Sequence, residues 1–342
     1  MINCWLPYYH AEILADGSVR PCCKYPNNWI DSIDQYNIKD RSEFETPVLA
    51  PACKACDVGS NEFSYKKHRT IDFKKRNWTE PTKPNLRNLN ISLDNTCSSS
   101  CIQCNPYNST KIGSLLGNQI KQSWDLNKLD TVLPTVEYLT ISGGEPLQSH
   151  RLIELCNKLK NYNIKEIGIP SGLSKIRSLN INALKDLGIP VKCRVSIDAP
   201  WGLNEWIRGC EESDWLANFE KVSNQFNIAW QITIGAYNVF SLPECLDYIE
   251  TLSKHKHIQP SPVIRPETHS VKQLPQELKD KIKNKLLNYK PSFNAVEIIK
   301  TSLALLEEPS TLNWDHCVSK METLPKLRNN NIPLLEFIEH YL

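Results

Sequence analysis

The chain has 342 residues, with 40 Lys and Arg against 38 Asp and Glu and a formal net charge of +2, so no overall field calls for nucleic acid or an anionic membrane as partner. That length suffices for one large domain with an appendage, or for two ordinary domains. No window approaches the uncharged run a membrane span needs, and the start, Met1-Ile2-Asn3-Cys4-Trp5, lacks the basic-then-apolar order of a signal peptide, so the expectation is a soluble, cytoplasmic protein.

Thirteen cysteines in a reducing compartment point to metal or redox chemistry rather than to disulfides. Five of them, Cys4, Cys22, Cys23, Cys53 and Cys56, fall within residues 1–80, among Pro, Asn and aromatic residues with few long apolar periods. This region reads as loop-rich and in need of a metal to fix it. Two short strands are expected at 11–14 and 18–20, with Gly17 in the turn between them. The stretch 65–78 interleaves basic residues with Tyr65, Phe73 and Trp78. Such a pattern can grip a nucleic-acid backbone or an acidic peptide, but balanced flanking charge favours a solvated helix or linker. Residues 81–84 read as a linker.

From 86 to about 265, β-rich runs alternate with helical periods. The expected strands are 86–93, 136–142, 164–170, 191–197, 228–236 and 258–264, with helices at 109–123, 150–162, 174–187, 213–225, 242–255 and 275–287. Six such units with near-continuous apolar strands argue for an α/β fold, a parallel sheet covered by helices. Periodicity leaves open whether that sheet is flat or curled into a partial barrel. The remainder, 291–342, reads as a helical tail with apolar spacing at 295–306 and 332–342. The expected organisation is therefore 1–80, 85–290 and 291–342.

After the first long strand comes Cys97-Ser98-Ser99-Ser100-Cys101-Ile102-Gln103-Cys104, a C-x3-C-x2-C arrangement in small residues. Iron-sulfur cubes are normally held by four thiolates, so three close ligands without a local fourth leave one iron open to a small molecule. Zinc would favour paired C-x2-C units or an H-x3-H, and no His lies in or just after the loop. In a β/α architecture the loops at the strand C-termini build the active site. The next strand ends in Gly143-Gly144-Glu145-Pro146: paired glycines admit close backbone approach, Pro146 fixes the turn, and Glu145 offers an acceptor to an ammonium group.

In these motifs and their order the sequence resembles the radical S-adenosylmethionine (SAM) superfamily. The resemblance implies a partial (β/α)6 TIM-like barrel. It implies a [4Fe-4S] cube on Cys97, Cys101 and Cys104, with SAM chelating the open iron through its amino and carboxylate groups and Gly143 to Pro146 lining the methionine amino group. It also implies reductive cleavage of SAM to a 5'-deoxyadenosyl radical, fed by an electron donor such as flavodoxin or ferredoxin. Further on, Pro170-Ser171-Gly172 resembles the family's ribose-side turn. Ser196 and Asp198 correspond to positions near the ribose or substrate, and Arg208 to one near the SAM carboxylate. Read by themselves, Ser196 and Asp198 are a strand-end cap and turn, and Arg208 is an exposed helix cation. Asn238, Arg265, Glu267 and His269 follow later strands at positions facing the same mouth.

The segment Cys4-x12-Gly17-x4-Cys22 with Cys53-x2-Cys56 resembles the Twitch and SPASM elements that hold auxiliary [4Fe-4S] clusters, here ahead of the barrel rather than after it. The tail around 324–333 also resembles such proteins. On that reading Cys4, Cys22, Cys53 and Cys56 ligate a second cube, with Cys23 competing with Cys22. By spacing alone a zinc site fits equally. Cys156, Cys193, Cys210, Cys245 and Cys317 occur singly and read as buried structural thiols. The resemblance favours modification of a peptide or protein side chain. The competing readings are dehydrogenation or epimerisation of a sugar or other small molecule, and a non-catalytic zinc-binding interaction protein.

Overall fold

The computed structural model describes residues 4–23, 25, 28–45, 72–120, 122–252, 257–291 and 295–342. The chain forms two compact units: Met1–Asn95, Lys121–Ile169 and Ser178–Val191 make the first, and Thr96–Ile120, Pro170–Arg177 and Lys192–Leu342 the second.

In the first unit the strands β1 (His10–Ile13), β2 (Val19–Arg20), β3 (Asn88–Ser92), β4 (Tyr138–Ser142) and β5 (Glu166–Ser171) lie in the order β2-β1-β3-β4-β5. The short hairpin forms as expected: β1 and β2 pair antiparallel, and Gly17 takes φ +89 in the turn. This hairpin continues the main sheet, because β1 runs parallel to β3 with His10 opposite Asn88 and Ile13 opposite Ile91. Apolar side chains line up across the strands, with Ala11, Leu89, Leu139 and Ile167 in one row and Ile13, Ile91 and Ile141 in the next, all of them buried. Helix α1 (Leu6–Tyr9) precedes β1; α3 (Arg151–Leu159) and α4 (Ser178–Lys185) follow β4 and β5. Helix α3 buries Leu152, Leu155, Cys156 and Leu159, the i, i+3, i+4, i+7 spacing of one helical face.

In the second unit β6 (Val191–Ser196), β7 (Asn227–Ile234) and β8 (Ile258–Pro262) run parallel in that order. Pro260 and Pro262 are tolerated in β8 because it ends the order as an edge strand, where missing N–H donors cost little. Helix α2 (Thr110–Leu115) is N-capped by Ser109, whose hydroxyl accepts from the Ile112 N–H at 3.3 Å. It is shorter than the expected 109–123, since Gly117 at φ +65 reverses the chain and the Asn118 N–H closes onto the Gly113 carbonyl. Helices α5 (Leu203–Arg208), α6 (Glu212–Ser223) and α7 (Leu242–Leu252) come next in the chain. They are followed by α8 (Gln276–Asn288), α9 (Val296–Leu306), α10 (Trp314–Met321), α11 (Thr323–Leu327) and α12 (Leu334–Tyr341). Trp215, Phe219 and Trp230 stack in the core, with Trp215 and Phe219 at 5.4 Å and 6°.

The strands depart from the expected near-continuous apolar run. In β6, Val191, Cys193 and Val195 are buried while Lys192, Arg194 and Ser196 are half-exposed, and β4 alternates likewise. One face packs as core and the other is polar, which is the pattern of strands that present a working surface rather than a second core. Among the described residues no helix is long and apolar enough to cross a membrane.

Candidate functional site

The thiol loop leaves the end of β3 and is pinned at several points within the second unit. The Ser100 N–H donates to Arg208 O at 3.1 Å and the Ile102 N–H to Ile207 O at 3.0 Å, so the end of α5 serves as a template for the loop. Cys97 is bracketed by Thr110: the Cys97 N–H donates to Thr110 Oγ1 at 3.2 Å, and that hydroxyl donates to Cys97 O at 3.1 Å. Ser109 Oγ donates to Ser99 O at 2.7 Å. His269 closes the other side, its Nε2–H donating to Ile102 O at 3.1 Å while Nδ1 accepts from Thr268 Oγ1 at 2.9 Å; the carbonyl acceptor dictates that tautomer. Ser98 Oγ lies 3.1 Å from Ser174 Oγ. Gly209, at φ +65, ends α5 where a Cβ would run into Arg328 and Ser100 Oγ, so a side chain there strains the backbone and displaces both.

Cys97, Cys101 and Cys104 are thus held half-buried on one loop with a fixed backbone. Burial pushes the Cys101 thiol up, opposed by Arg208 and Arg328, and burial with the neighbouring Cys101 pushes Cys104 up to about 12. Left as thiols they are inert, whereas a bound metal deprotonates a coordinating thiol outright. Among the described residues no group of three or more His, Cys, Asp or Glu is gathered as the ligand set of a single metal ion. A cube assigns its thiolates one to each iron and spreads them wider than a single ion does. Cys101 feels both the Arg208 and the Arg328 guanidinium and Cys104 feels Arg208, a setting that suits a net anionic thiolate-ligated group.

Asp198 and Arg208, expected as a ligand-side turn and an exposed cation, are both buried and form an ion pair at 2.8 Å, so Arg208 is not the exposed helix cation its sequence suggests. Asp198 Oδ1 also accepts from the Thr233 N–H at 2.8 Å, and its carbonyl accepts from Asn238 Nδ2 at 2.6 Å. Burial works against the Arg208 charge, but Asp198 and Cys101 more than offset it and hold the guanidinium above its ordinary range. Asn238 is fully buried and ties the ends of β6 and β7 together. Ser171 is buried and its hydroxyl accepts from the Leu173 N–H at 3.1 Å, while Ser196 ends β6 half-exposed. Arg265 and Glu267 are exposed, Glu267 being paired with Lys272 at 2.6 Å.

In the first unit, Gly143 takes φ +126 and lies so close to the Asp94 carbonyl that a Cβ would overlap it; the Gly144 N–H donates to the same oxygen at 3.0 Å. The close approach foreseen for this glycine is therefore to its own chain, three residues ahead of Cys97. Glu145 is buried, its Oε1 accepting from the Leu147 N–H at 3.1 Å, and Pro146 is buried beside it. Ser149 Oγ donates to Asp94 Oδ2 at 2.5 Å, and Asn180 Nδ2 donates to Leu147 O and Ser149 O at 2.8 Å each. These hydrogen bonds brace the turn against Asp94 and α4.

Cys22 is buried in an aromatic cluster with Leu6, Tyr9, Phe73 and Trp78, and Cys4 packs against the same cluster. Cys23 is exposed. His10 Nδ1–H donates to Pro21 O at 2.8 Å, which fixes the backbone just before Cys22. Cys53 and Cys56 lie outside the described residues, as does Tyr65. Phe73 and Trp78 are stacked at 4.9 Å and buried, so they are core residues and not a platform for bases. Cys156, Cys193, Cys210, Cys245 and Cys317 are all buried. Sequence reasoning missed Arg328, whose contact with Ser100 spans 228 positions and leaves no local signal, and the loop-clamping part played by His269.

An α/β chain with a pinned three-thiol loop at the end of a parallel strand is the class that fold and site define. No protein-family model matches the chain, and no curated protein matches it. Among solved structures it is similar to hexahistidine-tagged anSMEcpe with bound AdoMet, at 16% identity over 59% of this chain and 57% of that one, with a TM-score of 0.44. Native anSMEcpe with bound AdoMet and Cp18Cys peptide matches at 14% identity over 60% of each chain, with a TM-score of 0.43. Streptococcus suis SuiB bound to precursor peptide SuiA matches at 14% identity over 71% of this chain and 53% of that one, with a TM-score of 0.40. Each match takes in less than two thirds of the other chain. Likenesses this faint set neither fold nor activity for the chain.

Proposed function

We propose that this chain is a radical SAM enzyme whose Cys97, Cys101 and Cys104 hold a [4Fe-4S] cube and whose substrate is a peptide or protein side chain. The observation that carries the reading is the loop itself: C-x3-C-x2-C directly after a parallel strand, its backbone held by Ile207, Arg208, Thr110 and His269. When bound, the cube and SAM together supply a strongly reducing site and, on SAM cleavage, a 5'-deoxyadenosyl radical that abstracts hydrogen from substrate.

What the protein contributes is placement. The three cysteines sit on a loop whose backbone is held, because each inter-cysteine segment donates to or accepts from a neighbouring element. The braced Gly143 to Pro146 turn provides a backbone edge and the Glu145 carboxylate for the cofactor's ammonium group. Ser171, Ser196 and the Asp198–Arg208 pair are the further residues proposed along the cofactor's ribose and carboxylate. The half-exposed polar side of β6 offers hydrogen-bond partners to a peptide. Cys4, Cys22, Cys53 and Cys56 are proposed for an auxiliary [4Fe-4S] cube, and flavodoxin or ferredoxin as the electron donor.

The test is anaerobic reconstitution with iron and sulfide, then incubation with dithionite and SAM and chromatography for 5'-deoxyadenosine. Brown protein that forms 5'-deoxyadenosine, with the product lost in C97A, C101A and C104A, is the expected result. Colourless protein that binds zinc and never iron at these cysteines overturns the reading.

A further inference from the structure

Arg328 follows α11 in a turn closed by its own N–H onto Leu324 O and Pro325 O. Its half-buried guanidinium donates to Trp206 O, lies 3.5 Å from Ser100 Oγ, and fills the space that a side chain at Gly209 would need. Trp206 is bound to the tail a second time, its Nε1–H donating to Ile332 O at 3.0 Å and its ring packing against Phe337. The tail therefore grips α5, and α5 templates the cysteine loop through the carbonyls of Ile207 and Arg208.

The charge is the unusual part. Arg208 has Asp198 as its counter-ion, but Arg328 enters no ion pair among the described residues. Of the groups that act on it, Cys101 and Cys210 are thiols whose burial favours the protonated form, and Glu205 is the carboxylate. A cation taken out of water without a counter-charge is costly, and the structure leaves that charge beside Ser100 and Cys101. A cube on three thiolates is net anionic and becomes more so when it accepts an electron.

We propose that Arg328 is a positioning residue of the C-terminal tail that supplies the counter-charge to the cube at Cys97, Cys101 and Cys104, raising its reduction potential and tightening its retention. The inference rests on the reading given under Proposed function. The electron comes from the external donor and enters the cube; Arg328 changes neither proton count nor ligand set. A nearby cation favours the reduced, more negative state, so its removal shifts the midpoint potential negative.

The experiment compares R328Q, which removes the charge but keeps a donor for Trp206 O, with R328K, which keeps the charge. The SAM-responsive signal is followed by redox-poised electron paramagnetic resonance of the reconstituted full chain. Iron retention under chelator and hydrogen exchange over 314–341, before and after iron loading, are measured alongside. R328Q is expected to lower the one-electron reduction equilibrium about tenfold, about 59 mV, to lose iron faster, and to forfeit the extra protection the tail gains on loading. R328K is expected to keep the wild-type potential. A wild-type potential in R328Q overturns the inference and leaves the proposed function standing. Wild-type chain that takes up no iron at these cysteines overturns both.

Discussion

Gly143 shows how much can hang on one missing Cβ. Its φ of +126 is a region that side-chain-bearing residues rarely adopt, and the Asp94 carbonyl occupies the space a methyl group would fill. Gly143→Ala must therefore push the turn away from Asp94 and loosen the Gly144 N–H bond to the same oxygen. A loss on the order of 2–3 kcal/mol is expected, read as a lower melting temperature. Formation of 5'-deoxyadenosine is expected to fall further than stability does, since the turn is braced on Asp94, three residues before Cys97. A melting temperature equal to that of the wild type would show that the turn relaxes without cost.

At the level of elements, the cysteine loop is clamped between the end of α5 and the residue that follows the β8 turn. His269 is buried against Tyr237, at 6.1 Å and 79°, and burial lowers its pKa to about 4. Tyr237 is the titratable group facing the ring, Thr268 supplies its other hydrogen bond, and no carboxylate shifts its titration. Its folded pKa lies below its unfolded value of 6.5, so the unfolded chain binds the extra proton first. The stabilisation is complete above about pH 6.5 and is lost as pH falls toward about 4, in all on the order of 2–3 kcal/mol. His269→Gln cannot take that proton and keeps an N–H for Ile102 O. Chemical denaturation of the iron-free chain between pH 4 and 7 is expected to give a flatter stability curve for H269Q than for the wild type. Parallel curves would exclude His269 as the titrating group.

Over the whole chain, iron content is the broadest readout of the two cysteine sets. Two cubes amount to about eight irons per chain. Cys22 is buried in the cluster that Cys4 packs against, while Cys23 is exposed, so the two neighbours are not equivalent. C22A is expected to lower iron to about four per chain and leave the SAM-responsive signal intact, whereas C23A is expected to leave the content at about eight. Equal losses in the two variants would remove the distinction between them. The zinc alternative predicts no iron to lose.

Local pattern alone carried much of this. All six long strands fall within a few residues of their expected positions, as do α3, α6, α7, α8, α9 and α12, because apolar periodicity and helix-ending residues are recorded over short windows. The C-x3-C-x2-C loop and the Gly143 turn were equally legible, since spacing and glycine are local facts. Tertiary structure decided the rest. That β1 continues the main sheet beside β3, that Asp198 and Arg208 are a buried pair, that Cys22 and not Cys23 turns toward Cys4's cluster, and that Arg328 reaches Ser100 depend on segments far apart in the chain. Such contacts arise from packing and charge compensation between distant residues, which no window of sequence records.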